Sequence, residues 1–192
     1  MKLKLKVIIG STRPGRKGPA VADWFMTKVA EHTEFDVELI DLKEINLPFM
    51  DEAAHPRAQK YANDHTKKWQ QTIDSADAYV IVTPEYNYSY PATLKNALDY
   101  LALEWCEKPM GFVSYGGLSG GTRAVQELKG PVTTLGMMPL PEAVNIPFFA
   151  KHINDNGEFE SYDSAERSAE VMLKKLKRWA KALKRMREEE LA

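Results

Sequence analysis

Two hydrophobic rhythms alternate along this chain. Short apolar-rich segments occupy Leu3–Ile9, Val37–Leu42, Ala78–Val82, Met110–Tyr115 and Pro139–Ile146, with Ala78–Val82 the most apolar. Runs of that length, bounded by Gly, Pro and Asp, predict buried strands. Between them the apolar residues recur every three or four positions, the spacing of one helix face. Val21, Ala22, Phe25 and Val29 mark a helix over Ala20–Ala30, and Tyr61, Trp69 and Ile73 mark a polar helix over Arg57–Ser75. Leu94, Leu98 and Leu101 follow Pro91, a residue suited to the first helical position. Val125, Leu128, Val132 and Leu135 predict a fourth helix, which Pro131 should kink. A last helix from about Ser164 would bury Ala165, Ala169, Met172, Leu176, Trp179 and Leu183. Asn46–Pro56 has neither rhythm and reads as an irregular loop.

Strands alternating with helices imply a parallel sheet covered on both faces. The expected fold is α/β, a flavodoxin-like three-layer sandwich with strand order 2-1-3-4-5. Periodicity alone does not separate that order from other short α/β orders; the chemistry of the loops selects it. No repeat, linker or low-complexity segment interrupts the pattern, so residues 1–192 are expected to form one domain. Pro139 and Pro141 place the fifth strand at a sheet edge.

Charge and composition narrow the classes of partner. The 26 basic and 27 acidic residues leave a net charge of −1, which gives no global attraction to nucleic acid or anionic membrane. The single cysteine, Cys106, excludes an intrachain disulfide framework and suits a reducing cytoplasm. MKLKLKVIIG faintly imitates a signal peptide, but its apolar run is short and leads into a Gly-rich loop. The basic and apolar faces of 174–187 read as the solvated and packed sides of one helix.

Two loops carry the chemistry. Gly10-Ser-Thr-Arg-Pro-Gly-Arg-Lys-Gly18 joins the first strand to the first helix, where free backbone N–H groups and the helix dipole favour an anion. Ser11 and Thr12 offer hydroxyls, Arg13 and Arg16 offer bidentate cations, and the glycines admit close backbone approach. Arg16 and Lys17 stand where a Walker A loop needs Lys-Ser/Thr, and the Gly-x-Gly-x-x-Gly spacing is absent too. The second loop, Pro84-Glu85-Tyr86-Asn87-Tyr88-Ser89-Tyr90, follows the most apolar strand and suits a flat aromatic ring. A ligand with both a phosphate and such a ring is flavin mononucleotide. Solvated turns, or a tyrosine-rich subunit interface, are the bland alternatives.

Gly117-Leu-Ser119-Gly-Gly121 also satisfies Gly-x-Ser-x-Gly, the nucleophile elbow of serine hydrolases. Its triad would have to use Glu142 and His152 and would leave both other loops unexplained. Glu52-x-x-His55 has the spacing of metal ligands but no second histidine to complete a site, so no metal is expected.

Gly10-Ser11-x-Arg13, Pro84-Glu85-Tyr86-Asn87-Tyr88-Ser89-x-Pro91-x-x-Leu94-Lys95-Asn96-Ala97-x-Asp99 and Gly116-Gly117 together resemble the NADPH-dependent FMN reductases, over roughly residues 3–150. That family includes quinone, azo-dye and chromate reductases. The resemblance implies bound FMN, NADPH or NADH as co-substrate, and two-electron transfer to a quinone, free flavin or similar flat acceptor. It implies that Ser11, Arg13, Gly18, Pro19 and Ala20 hold the phosphate, with Arg16 a second cation that many relatives lack. Pro84, Glu85, Tyr86, Asn87 and Tyr88 would line the isoalloxazine, and Ser114, Tyr115, Gly116 and Gly117 would meet its pyrimidine side. No protein acid or base is demanded, since the flavin carries the chemistry. An FMN-binding electron carrier or regulatory flavoprotein is the alternative. A homodimer or homotetramer is expected, because one flavin cannot cover Tyr86, Tyr88 and Tyr90 together.

Overall fold

The computed structural model describes residues 2–190. Five strands, β1 (Leu3–Ile9), β2 (Phe35–Asp41), β3 (Ala78–Pro84), β4 (Pro109–Tyr115) and β5 (Met138–Ile146), form one sheet in the order β2-β1-β3-β4-β5. Every neighbouring pair is parallel. The helices are α1 (Gly18–Ala30), α2 (Leu42–Ile45), α3 (Asp64–Asp74), α4 (Ala92–Asp99), α5 (Thr122–Thr134) and α6 (Asp163–Glu190). The expected flavodoxin-like order is therefore present, with β5 at one edge and β2 at the other.

The pleat sorts side chains onto two cores. Leu5, Val7, Ile9, Val80, Val82 and Val113 face α1 and α6, meeting Val21, Phe25, Ala169, Met172 and Leu176. Ile8, Tyr79, Ile81, Met110 and Phe112 face α3, α4 and α5, meeting Trp69, Ile73, Leu94, Leu98, Val125 and Leu128. β3 and β4 are buried along their whole length, which is why their sequences show apolar runs rather than alternation.

Three expectations need correction. The helix foreseen over 57–75 begins only at Asp64. Gln59 lies in the left-handed region at φ 51°, and the Glu52 carboxylate accepts the Ala62 and Asn63 N–H groups at 2.8 and 3.0 Å. Those bonds hold the approach to α3 in a non-helical path. In α6, Ala180 is buried and Trp179 is 38% exposed, because the buried stripe runs through Ala169, Leu173, Leu176 and Ala180 and the helical turn carries Trp179 to its edge. Leu42, expected to end the second strand, instead opens a single helical turn, α2, before the irregular loop, with the Asp41 side chain accepting the Lys43 N–H at 2.9 Å.

The far pole of the sheet is pinned by charge. Asp77 accepts from Lys184 Nζ at 3.0 Å and Arg187 Nη2 at 3.2 Å, which fastens the end of α6. Buried Lys108 donates to the carbonyls of Ile73, Asp74 and Glu104; burial pushes its ammonium down to about 8. Among the described residues no helix is long and apolar enough to cross a membrane.

Candidate functional site

Three loops meet at the carboxyl ends of β1, β3 and β4, where an open α/β sheet leaves a crevice. Together with Phe149, which follows β5, they enclose a cleft of about 310 Å³. Arg13, Pro14, Gly15, Arg16 and Lys17 form one wall, Pro84, Glu85 and Tyr86 the second, and Tyr115, Gly116 and Gly117 the third.

The first wall is a tight turn followed by a helix start. Arg16 N–H donates to the Arg13 carbonyl at 3.1 Å, with Gly15 at φ 71°. Pro at the second position and a left-handed residue at the third is the sequence logic of a type II turn. α1 then begins with no side-chain cap and no acidic residue in its first turn. Its N-terminal N–H groups therefore remain available to an anion. Ser11 is fully buried beneath the turn, its hydroxyl 2.7 Å from the Tyr86 hydroxyl, so the first two walls are joined.

The two arginines of this loop part company. Arg13 is exposed and makes no ion pair among the described residues. Arg16 is clasped by both Asp41 oxygens at the end of β2 and donates to the Ser11 carbonyl at 2.6 Å. Burial pushes the Asp41 carboxyl up, but the Arg16 and Lys43 hydrogen bonds outweigh it and leave it below the usual carboxylate range. The Asp41 bond likewise raises the Arg16 guanidinium, against burial.

The second wall ends in a narrow hairpin. Tyr86 and Ser89 exchange backbone hydrogen bonds at 2.8 and 3.0 Å, while Asn87 and Tyr88 take φ 49° and 72°. Two successive left-handed residues make the primed turn that asparagine tolerates and tyrosine does not favour. Strain of this kind is held by its surroundings: the Arg123 guanidinium lies 3.9 Å from the centre of the Tyr88 ring. In the third wall, Tyr115 is buried against Phe149, with ring centroids 5.2 Å apart. Burial raises its phenol, and Tyr86 adds to this, so Tyr115 is a neutral hydroxyl.

Of the expected site residues, Arg13, Arg16, Pro84, Glu85, Tyr86, Tyr115, Gly116 and Gly117 line the cleft. Ser11 and Gly18 lie buried under it. Pro19 and Ala20 instead line a neighbouring cleft of about 600 Å³, with Trp24 and Phe159. Asn87 and Tyr88 sit at the exposed hairpin tip. Ser114 points away from the cleft, its hydroxyl lying 2.8 Å from the Gly120 carbonyl oxygen and 2.9 Å from Asn145 Oδ1, with one proton to share between them. Lys17 and Phe149 were not anticipated. Lys17 could have been found as the residue just before a helix start; Phe149 carries no signal beyond following the fifth strand.

The hydrolase constellation does not assemble. Ser119 Oγ donates to Glu85, His152 stacks on Tyr162 and Glu142 faces Lys175. Glu52 and His55 also have other uses, Glu52 at Ala62 and Asn63, His55 as acceptor of the Arg57 N–H.

The model of the NADPH-dependent FMN reductase family matches residues 3–151. The NAD(P)H-dependent FMN reductase of Saccharomyces cerevisiae is 32% identical over 175 residues, covering 78% of this chain and 91% of that protein. The protein of the same description from Schizosaccharomyces pombe is 46% identical over 125 residues, which is 64% of this chain and 62% of that protein's length. FerB, a flavoenzyme NAD(P)H:(acceptor) oxidoreductase from Paracoccus denitrificans, shares the fold with a TM-score of 0.68 at 22% identity, over 95% of this chain and 98% of that one.

Proposed function

The chain belongs to the NADPH-dependent FMN reductase family, and on that premise we propose that it is an FMN-dependent NAD(P)H oxidoreductase passing electrons to a small flat acceptor. The observation that carries this reading is the convergence of a cationic turn, an aromatic wall and a glycine wall on one cleft. These parts fit FMN. Arg13 and Lys17, with the uncapped start of α1, match a phosphate. Tyr86, Tyr115 and Phe149 offer aromatic faces and edges, and the wall of Gly116 and Gly117 presents backbone rather than side chains. Gly117 has no neighbour within 4 Å of where a Cβ would stand, so that space is free for a ring edge.

When bound, FMN supplies the chemistry, accepting a hydride from NAD(P)H and returning two electrons to the acceptor. The chain's own residues bind and orient. The one carboxylate in the cleft wall, Glu85, is paired with Arg123 at 2.7 Å and with the Ser119 hydroxyl at 2.7 Å, so its oxygens are taken up within the protein. Quinones and free flavins are acceptors of the right shape, and the single free Cys106 suits a reducing cytoplasm.

The test is optical. Protein reconstituted with FMN should bleach rapidly when NADPH or NADH is added without oxygen, and benzoquinone should restore the colour. A flavin that binds but is bleached by neither nucleotide would favour an electron carrier or regulatory flavoprotein instead.

The rim supports a second element of the proposal, an assembly of two or four copies. Phe49, Tyr88 and Leu118 are 84%, 67% and 79% exposed, on the loops after α2, β3 and β4. Tyr88 and Leu118 lie on two of the loops that wall the cleft; large apolar side chains left exposed there mark an interaction surface, and a two-fold partner would cover them beside the cleft. Tyr88→Asp is expected to weaken assembly and FMN affinity together. Sedimentation of the parent at the 21.8 kDa of one chain, with FMN tightly bound, would sink this coupling.

A further inference from the structure

The Gly-x-Ser-x-Gly segment remains without a role, and its serine is fully engaged. Ser119 Oγ donates to Glu85 Oε2 at 2.7 Å. The same oxygen accepts the Arg123 N–H at 3.3 Å, while Arg123 Nε stands 2.7 Å from Glu85 Oε1 as an ion pair lacking hydrogen-bond alignment. We propose that Glu85 is a positioning residue that clamps the loop after β4 and the start of α5 to the hairpin after β3, with Ser119 and Arg123 as its anchors. The proposal rests on the flavin reading of the cleft.

The physical case begins at α5. Its N-cap is Gly121, which has no side chain to accept the orphan N–H groups of the first turn. Glu85, from a loop 38 positions earlier, supplies that acceptor at the second helical residue. A carboxylate there is also favoured by the helix dipole. The Glu85 side chain is only 8% exposed, so solvent competes little for these bonds.

The clamp reaches the cleft through backbone. Gly116 lies between Glu85 and Gly121: an added Cβ would stand in ordinary contact with Glu85 Cβ at 3.7 Å and tight against the Gly121 nitrogen at 3.1 Å. The Gly117 carbonyl accepts the Gly120 N–H at 3.2 Å, which ties the cleft-lining glycines to the serine turn. On the other side, Arg123 covers the Tyr88 ring and holds the strained hairpin. Backbone already joins the bases of the two walls, the Glu85 N–H donating to the Tyr115 carbonyl at 3.2 Å; the acidic side chain thus fixes how their outer parts stand, where a flat ring would enter. The serine serves as a donor to that carboxylate, not as a nucleophile.

The role predicts coupling and indifference to the phosphate. Apo-protein of the parent, Glu85→Gln, Ser119→Ala, Ser119→Thr and Glu85→Gln/Ser119→Ala would be titrated with FMN and with riboflavin, following flavin fluorescence. Glu85→Gln keeps the shape, loses one acceptor and turns an amide toward a cation. It should weaken both ligands by roughly tenfold or more, the scale of a charged hydrogen bond. Ser119→Ala should weaken both by about threefold, a fraction of one hydrogen bond. Ser119→Thr should restore binding, and the double variant should be no weaker than Glu85→Gln, since both act through one contact. Binding by Glu85→Gln within twofold of the parent, or fully additive losses, would overturn the clamp. If Glu85→Gln does not fold, the Ala and Thr variants decide: no loss in the first, or no rescue by the second, overturns it. A parent that binds no flavin would sink the flavin reading and the clamp with it, whereas a parent that binds while the variants match it sinks the clamp alone.

Discussion

Gly121→Ala is expected to destabilise the folded chain by about 3 kcal/mol, combining the left-handed backbone cost of an L-residue with overpacking. Gly121 has φ 84°, and its added Cβ would stand 2.7 Å from Ser114 Cβ and 2.9 Å from the Tyr115 nitrogen. Neither neighbour can yield. Ser114 is buried and held by the Gly120 carbonyl and Asn145, and Tyr115 N lies in the central sheet. The methyl would therefore push the start of α5 off the end of β4 and break the glycine wall. Urea unfolding of the apo-protein measures the loss, and FMN titration should show that retention falls with it. Gly117→Ala is the matched comparison. With no neighbour within 4 Å and no positive φ, it should leave stability within about 0.5 kcal/mol, like other unconstrained exposed positions. Its methyl should still weaken FMN, because Gly117 lines the cleft. Equal stability of the two variants would show that the junction after β4 has slack that the packing does not reveal.

The contrast between these glycines marks how far the sequence could be read. β3 and β4 were legible because burial on both faces leaves no room for polar alternation, and the part-exposed edge strands β2 and β5 because apolar clusters alternate there with the helical periods. The position of the cleft was legible too, since loops at the carboxyl ends of parallel strands are where such sheets bind ligands. What lies within a loop was less so. Ser114 sits one residue before cleft-lining Tyr115, yet the pleat turns it to the other side, onto Asn145. Pro19 and Ala20 lie on α1 just beyond the turn, and the helix carries them round to the adjoining cleft. The late start of α3 depends on Glu52, ten residues before Ala62, and no periodicity announces such a contact. Glu85 and Ser119 stood out separately, one in an aromatic loop and one in a hydrolase-like motif. Only the fold brings them to 2.7 Å.

Arg13 and Arg16 show the same limit, and they yield the second large effect. From sequence they are equivalent cations in one phosphate-suited loop. In the structure they are expected to fail in opposite ways. Arg16→Ala strands Asp41, whose side chain is 13% exposed, without its partner. Removing one member of a buried pair costs roughly 3–5 kcal/mol, because the remaining charge has lost its compensation. The sign of the pH dependence follows from Asp41. Burial opposes its ionisation, but Arg16 and the Lys43 N–H hold it below the usual carboxylate range. A carboxyl depressed in the folded state contributes stability that is present above its unfolded pKa and lost as pH falls through its folded one. The gap between parent and Arg16→Ala should therefore be full near neutrality and close as pH drops through the carboxylate range. Arg13→Ala should leave unfolding unchanged within about 0.5 kcal/mol, since its side chain is exposed and unpaired among the described residues. It should instead weaken FMN by about 1.5–3 kcal/mol, the scale of a charge-assisted bond to phosphate. Riboflavin, which lacks the phosphate, should hardly register the change. Chemical unfolding from pH 3 to pH 8, with parallel titrations of the two flavins, separates the outcomes. Equal loss of FMN and riboflavin in Arg13→Ala would place that arginine outside the phosphate site. An Arg16→Ala variant as stable as the parent would show that Asp41 finds water or another donor when its partner is gone.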